Sequence, residues 1–169
     1  MSDRTMTKLA ARTILVGARL TPYVEGELLG LRSLVAPGGV CVDVGAGVGV
    51  YTAVLSYLVG AGGRVHSVEP LPFAHRPWST VMRAALGPNI RRHGVALGAR
   101  PGSGTLSIPV GRFGLVTGRS FLTTNACSLG SNAEFAEHVS AEVEIDTLDG
   151  LCGRAGTSRL DFVKIDVEG

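Results

Sequence analysis

The chain has 169 residues, which suits one domain, and its hydrophobic content of 45% is enough for a buried core. Its formal net charge is +2, so no strong basic field indicates nucleic acid as a partner. The cysteines are few, odd in number and widely spaced, at Cys41, Cys127 and Cys152. Because they form no disulfide framework, they indicate a reducing, cytoplasmic location, and Cys41 is expected to be a small buried hydrophobe in a strand.

The first part of the chain is expected to be an N-terminal extension over residues 1–22. Its apolar run, Thr13–Ala18, is too short to span a membrane. No clear signal-cleavage pattern follows this run. An amphipathic surface helix is therefore the expected structure, and no membrane segment is predicted.

The main domain is expected to cover residues 23–169. It opens with apolar residues at helical spacing, which predict a helix over Tyr23–Val35 that ends before Pro37. Glu25 and Glu27 in this helix form its solvated face or, as the alternative, reach toward the amino group of a cofactor.

Residues 40–58 carry the clearest functional pattern. Val40–Val44 predicts a buried strand, Gly45–Gly49 a glycine-rich turn, and Val50–Leu58 a helix. This order is typical of a nucleotide-binding α/β unit. The glycines let backbone N–H groups approach a ligand, and the helix N-terminus favours an anion.

Two features of this segment bear on the identity of the ligand. A dinucleotide site requires Gly-x-Gly-x-x-Gly, but the third glycine is replaced by Val50. Asp43 at the strand end opposes a pyrophosphate and suits a cation, and S-adenosylmethionine carries a sulfonium and an ammonium group. The segment therefore favours S-adenosylmethionine over NAD, and the alternative is a tight turn without a ligand. The predicted cofactor-binding residues here are Asp43, Gly45, Ala46, Gly47 and Gly49.

The next two predicted strands supply further cofactor contacts. Arg64–Pro70 predicts a strand, and Glu69 lies about 20 residues past the glycine loop, where an acid accepts hydrogen bonds from both ribose hydroxyls. Ile90–Leu97 predicts a third strand, whose end is expected to lie beside the adenine. The predicted contacts from these strands are Glu69, Pro70, Ala96 and Leu97.

The middle of the chain predicts less regular structure. A helix is predicted over Phe73–Leu86. Residues 99–141 are rich in Gly, Ser and Thr, which predicts a hairpin and a long loop over the substrate. Asn125 and Ser128 in this loop are candidate substrate contacts or ordinary turn residues. Val143–Asp149 predicts a short strand that ends in acids.

The last segment, Leu160–Gly169, predicts a central strand with one irregularity. A strand buried on both faces is expected to be apolar throughout, but this one contains Lys164. Because an unpaired buried charge is costly, the lysine is expected to pair with Asp166 or with Asp43 on the neighbouring strand. It either forms a structural ion pair or tunes a catalytic acid.

Taken together, several of these segments resemble the FkbM-type methyltransferases. The resemblance covers roughly residues 23–169, and Lys164–Gly169 is its specific part. It implies an S-adenosylmethionine-dependent O-methyltransferase with a Rossmann-like class I α/β fold, which acts on a hydroxyl of a sugar or another small molecule. The family usually has asparagine in place of Gly47, so one side-chain contact to the cofactor is missing. The segments that carry the resemblance are Val42–Gly49, Ser67–Pro70, Val95–Gly98, Thr147–Asp149 and Val163–Gly169.

Methyl transfer to oxygen requires donor and acceptor to be held in line, and the hydroxyl must lose a proton. Asp166, at the carboxyl end of its strand, is the first candidate for positioning or deprotonating the acceptor, and Glu168 is the second. These acids can also bind a divalent metal with Asp43 or Asp149, but nothing in their spacing requires it, and no metal is predicted.

Two other functions stay open: an inactive methyltransferase-like binding module and, less favoured, an NAD-dependent oxidoreductase. The family continues beyond Gly169 with further strands. The fold is therefore expected to be truncated after its fourth core strand, and residues 1–169 alone to aggregate and to be inactive. The sequence does not specify the oligomeric state. Three histidines show no partner pattern and are expected to be structural or solvated: His66, His93 and His138.

Overall fold

Two β-sheets and the helices around them make up the described part of the chain. The computed structural model describes residues 3–71, 87–123 and 134–167. The helices are α1 (Asp3–Leu20), α2 (Leu31–Leu34), α3 (Val50–Val59) and α4 (Leu148–Ala155), with 3-10 turns at Gly26–Leu29 and Thr117–Arg119. The strands are β1 (Val40–Val44), β2 (Arg64–Val68), β3 (Ile90–His93), β4 (Ala96–Leu97), β5 (Gly102–Gly111), β6 (Gly114–Leu115), β7 (Phe121–Leu122), β8 (Glu137–Asp146) and β9 (Phe162–Ile165).

The first sheet is parallel and has the strand order β3-β2-β1-β9. Alternate residues of β1 face opposite sides: Cys41 is buried against α1 and α3, whereas Val42 and Val44 pack with Leu151 of α4. A parallel sheet covered on both faces has the Rossmann-like architecture, so the predicted α/β fold is confirmed. The expected position of the last strand beside the first is also confirmed, because Val42 pairs with Val163.

The second sheet is built around the long antiparallel pair of β5 and β8. It has the order β4-β8-β5-β6, and β7 pairs with β5. The antiparallel pair of β5 and β6, joined by a two-residue turn, confirms the hairpin predicted within residues 99–141, while Asn125 and Ser128 lie outside the described residues. The apolar core of this sheet consists of Leu71, Ala96, Leu106, Ile108 and Val143.

The single strand predicted over Ile90–Leu97 is wrong. β3 ends at His93, and the chain then leaves the first sheet at Gly94. Ala96 of β4 pairs instead with Ile145 of β8 in the second sheet. The segment Ile90–Leu97 therefore connects the two sheets, and its apolar end, Ala96 and Leu97, lies beside both of them.

Two further predicted bounds are wrong for local reasons. The helix expected over Tyr23–Val35 is divided into a 3-10 turn and α2, because Gly30 separates them and disfavours a continuous helix. The strand expected over Val143–Asp149 ends at Asp146. Thr147 then caps α4, since its hydroxyl accepts a hydrogen bond from the Gly150 N–H at 2.9 Å.

The N-terminal helix α1 contributes to the main core. Its Ala11 and Leu15 are buried in the same cluster as Val54 and Leu55 of α3. No helix in the described ranges is long and apolar enough to cross a membrane. The helix predicted over Phe73–Leu86 lies outside the described residues.

Candidate functional site

A cavity of about 520 Å³ lies at the carboxyl edge of the parallel sheet. Its volume falls within the range of about 300–1,000 Å³ that is usual for small-molecule sites. Asp43 and Gly49 do not line this cavity, and Glu168 lies outside the described residues. The predicted site residues that do line it are Gly45, Ala46, Gly47, Glu69, Pro70, Ala96, Leu97 and Asp166.

The glycine loop forms one wall of the cavity, and its conformation explains its composition. Gly45, Gly47 and Gly49 have φ values of 72°, 52° and 88°, in the left-handed region that disfavours side chains. A Cβ atom on Gly45 would also lie 2.0 Å from the carbonyl oxygen of Asp166. Gly47 is different, because no atom lies within 4 Å of its hypothetical Cβ. The loop therefore presents open backbone to the cavity at Gly47.

Glu69, the first residue after β2, reaches across to this loop. Its Oε2 accepts a hydrogen bond from the Gly47 N–H at 2.9 Å, and its Oε1 accepts one from the Leu71 N–H at 3.0 Å. Burial raises the pKa of the Glu69 carboxyl, while these two backbone N–H groups act in the opposite direction. Each carboxylate oxygen keeps one further lone-pair direction, so Glu69 can accept hydrogen bonds from a ligand in the cavity.

Asp43 lies inside the sheet rather than in the cavity, and its side chain is fully buried. Its Oδ2 accepts a hydrogen bond from the Thr52 hydroxyl at 2.6 Å. Its Oδ1 accepts no hydrogen bond from the described residues but lies 3.4 Å from the Nζ of Lys164. Burial raises the pKa of the Asp43 carboxyl, against the opposing effects of Thr52 and Lys164.

Lys164 joins the sheet to the cavity. Its Nζ lies 3.4 Å from Asp166 Oδ2, and it donates to the Gly45 carbonyl oxygen at 3.3 Å. The two partners predicted for this lysine, Asp43 and Asp166, are therefore both confirmed. The Asp166 side chain is 71% exposed and lines the cavity, so its carboxylate is accessible to a ligand.

Sequence reasoning missed much of the outer wall. Tyr51 lies in the first turn of α3, lines the cavity and donates its hydroxyl hydrogen bond to Glu25 Oε2. Its ring also lies below the Nζ of Lys164, at 4.7 Å from the ring centroid. The second sheet and the 3-10 turn between its strands contribute apolar and hydroxyl groups, among them Leu106 and Ser120. The position of Tyr51 directly after the glycine loop was a local signal for its contact, and Glu25 was named from the sequence only as an alternative cofactor contact.

The three histidines are structural or solvated, as expected, although the contact of His66 with His93 has no pattern in the sequence that indicates it. His66 Nδ1 lies 3.0 Å from His93 Nε2, and His66 Nε2 lies 3.1 Å from the Thr157 hydroxyl. Neither histidine lines the cavity. His138 is at the surface, where its Nδ1 lies 3.0 Å from the Ser107 hydroxyl. Within the described ranges, no group of three or more His, Cys, Asp or Glu side chains is arranged to hold a metal ion.

A parallel sheet with helices on both faces, a glycine loop after its first strand and a cavity at its carboxyl edge are the features of a Rossmann-like domain. The sequence from residue 43 to residue 169 matches the methyltransferase FkbM domain. The chain belongs to this family, and the domain is a methyltransferase domain.

Among solved structures, a cyclopropane-fatty-acyl-phospholipid synthase-like protein from Lactobacillus casei is similar over 40% of this chain, with 22% sequence identity and a TM-score of 0.36. This chain spans 28% of the length of that protein. The comparison with curated proteins gives no match.

Proposed function

We propose that this domain binds S-adenosylmethionine and transfers its methyl group to a hydroxyl of a small molecule or sugar. The observation that carries the proposal is the position of Glu69. Its carboxylate follows β2, is bound to the glycine-loop N–H of Gly47 and lines the cavity. A carboxylate in this place accepts hydrogen bonds from the two hydroxyls of a ribose.

The other residues of the cavity fit the rest of this cofactor. Pro70, Ala96 and Leu97 offer apolar surface for an adenine beyond Glu69. The open backbone at Gly47 allows close approach of the ligand, and the acidic lining suits its positive charge. When bound, S-adenosylmethionine supplies a methyl group that its sulfonium activates toward a nucleophile.

The protein's own part in the reaction is to orient the acceptor and remove its proton. Lys164 Nζ lies near Oδ2 of Asp166, which leaves Oδ1 of this carboxylate for an acceptor hydroxyl. A hydroxyl that donates to Asp166 Oδ1 is both oriented and made more nucleophilic as its proton moves to that oxygen. Lys164 fixes the position of this carboxylate through its second contact, with Asp43.

Replacement of Glu69 tests the cofactor assignment. Glu69→Ala is expected to weaken S-adenosylmethionine binding about 10- to 150-fold, because it removes charge-assisted hydrogen bonds to the ribose. Isothermal titration calorimetry measures this, with Glu144→Ala on the exposed face of β8 as the matched control. Unchanged affinity would remove Glu69 from the ribose site. Binding of NAD by the wild-type chain, without binding of S-adenosylmethionine, would refute the proposed function.

A further inference from the structure

The charged side chains of the cavity differ in which protein groups they are bonded to. Glu69 is bound by two backbone N–H groups, and Asp166 lies beside Lys164. Lys164 is also paired with the buried Asp43, so its positive charge is compensated from within the sheet. Glu25 is the exception: it lines the cavity, and no described cation lies within ion-pair distance of its carboxylate.

Glu25 is nevertheless held in a defined position. Its carbonyl oxygen accepts a hydrogen bond from the N–H of Leu28, whose side chain is fully buried in the main core. Its Oε2 accepts a hydrogen bond from the Tyr51 hydroxyl. Burial and the neighbouring Glu25 raise the pKa of this hydroxyl, so Tyr51 remains a donor at neutral pH. One oxygen of the Glu25 carboxylate is thereby fixed, and the other has no protein partner in the described residues.

The order of strands shows which end of a ligand meets Glu25. The proposed ribose contact, Glu69, follows β2, and the proposed adenine contacts, Ala96 and Leu97, follow β3. The Tyr51 ring lies below the Nζ of Lys164, which belongs to β9 on the other side of β1. A ligand with its adenine beyond β2 therefore extends its remaining part toward β9, and this is the part that reaches Glu25.

We infer that Glu25 binds the ammonium group at the amino-acid end of the methyl donor, and that Tyr51 is the positioning residue that orients its carboxylate. The inference rests on the proposed function. The chemistry fits, because an ammonium group has three N–H donors and a carboxylate with a free oxygen is its natural acceptor. The excess of acids over cations at this end of the cavity favours the same charge.

Two ligands distinguish this contact from a general loss of binding. S-adenosylhomocysteine carries the ammonium group without the sulfonium charge, and 5′-methylthioadenosine lacks the whole amino-acid end. Glu25→Gln is expected to weaken S-adenosylhomocysteine binding about 10- to 100-fold and to change methylthioadenosine binding by less than about twofold. Tyr51→Phe keeps the ring over Lys164 and is expected to weaken S-adenosylhomocysteine binding about 2- to 10-fold.

Glu144→Gln is the matched control, since Glu144 is exposed on β8 and does not line the cavity. It is expected to bind both ligands as the wild type does. Equal affinity of Glu25→Gln and wild type for S-adenosylhomocysteine would overturn the inference, and so would an equal loss for both ligands. Binding of neither ligand to the wild-type chain would instead show that the proposed function has failed.

Discussion

Gly45 is the residue whose replacement is least compatible with the site. It combines a φ of 72° with a hypothetical Cβ only 2.0 Å from the Asp166 carbonyl oxygen. Gly38 shares the positive φ, at 80°, but has no atom within 4 Å of its hypothetical Cβ. Substitutions at Gly38 and Gly45 therefore separate the free-energy cost of a left-handed backbone from the cost of the close approach to the Asp166 carbonyl.

We expect Gly38→Ala to lower the free energy of unfolding by about 1–2 kcal/mol, the cost of a left-handed residue with a side chain. Gly45→Ala must also move the backbone at Asp166, which brings its expected cost to about 3 kcal/mol or more. Urea denaturation of both variants measures the difference. Equal losses for the two would show that the backbone contact at Asp166 imposes no constraint.

At Asp166 the useful distinction is between binding and chemistry. In the intact protein, Asp166→Asn is expected to lower turnover about 10²- to 10⁴-fold, because the amide cannot take the proton of the acceptor. Donor affinity is expected to stay nearly unchanged. Single-turnover kinetics and calorimetry measure the two effects, and Asp149→Asn, an exposed acid outside the cavity, is the control. Normal turnover at saturating acceptor would leave Asp166 as a structural partner of Lys164.

Asp43 illustrates a limit of reading a site from its motif. A carboxylate at the end of β1 was expected to face the cationic ligand. In the fold, its register partner on β9 is Lys164, which takes up that carboxylate within the sheet. The motif shows that an acid lies near the end of the strand. The cation that pairs with it comes from a distant segment, so local spacing does not determine where the side chain lies.

At the scale of elements, the contact of His66 with His93 joins β2 to β3 beneath α4. Burial lowers the pKa of His66 to about 4, and the positive charges of His93, Arg64 and Arg91 act in the same direction. The pKa of His93 is lowered as well, by burial and then by Arg91 and Arg154. From the side of α4, the Thr157 hydroxyl faces His66, and the Ala155 carbonyl accepts a hydrogen bond from Arg91.

This contact predicts a loss of stability in mild acid. The folded-state pKa of His66 lies below its ordinary value of 6.5, so between pH 6.5 and about pH 4 the unfolded chain binds more protons at this site. Stability therefore falls as the pH decreases through this window, and the contribution of His66 between pH 7 and pH 5 is about 1–2 kcal/mol. His66→Gln is expected to reduce the pH dependence by that amount in urea titrations at the two values.

The exposed His138 provides the comparison for this experiment. His138→Gln is expected to keep the pH dependence of the wild type, because the side chain lies at the surface of the second sheet. A His66→Gln variant that loses as much stability between pH 7 and pH 5 as the wild type would contradict the assignment of the effect to His66.

Helices and strands were predicted correctly where the sequence pattern that defines them lies within the element itself. The unit of β1, glycine loop and α3 was predicted correctly, because strand, turn and helix each have their own sequence pattern within residues 40–59. The division between β3 and β4 was not, since the apolar residues Val95–Leu97 follow Gly94 at once and β4 is defined by its partner Ile145. The cap at Thr147 was a local signal that the alternating pattern before it concealed.

At the scale of the whole molecule, the cavity belongs to both sheets and to the N-terminal segment. The parallel sheet supplies the glycine loop, Glu69 and Asp166, which the sequence identified. The N-terminal segment supplies Ile14 and Glu25, and the second sheet supplies Leu106. These contributions depend on how the second sheet and the N-terminal segment pack against the parallel sheet. No periodicity in the sequence encodes that packing.

The pairing of β1 with β9 has a consequence for the order of folding. The backbone N–H of Val40 donates to Asp161, 121 positions later in the chain, whereas Gly47 and Glu69 are 22 positions apart. Closing the longer loop costs more chain entropy, and non-local parallel pairing is slow to form. We therefore expect the glycine loop and Glu69 to come together early, and β9 to dock late. Because β9 carries Lys164 and leads into Asp166, the half of the cavity that would meet the acceptor is completed only in that final step.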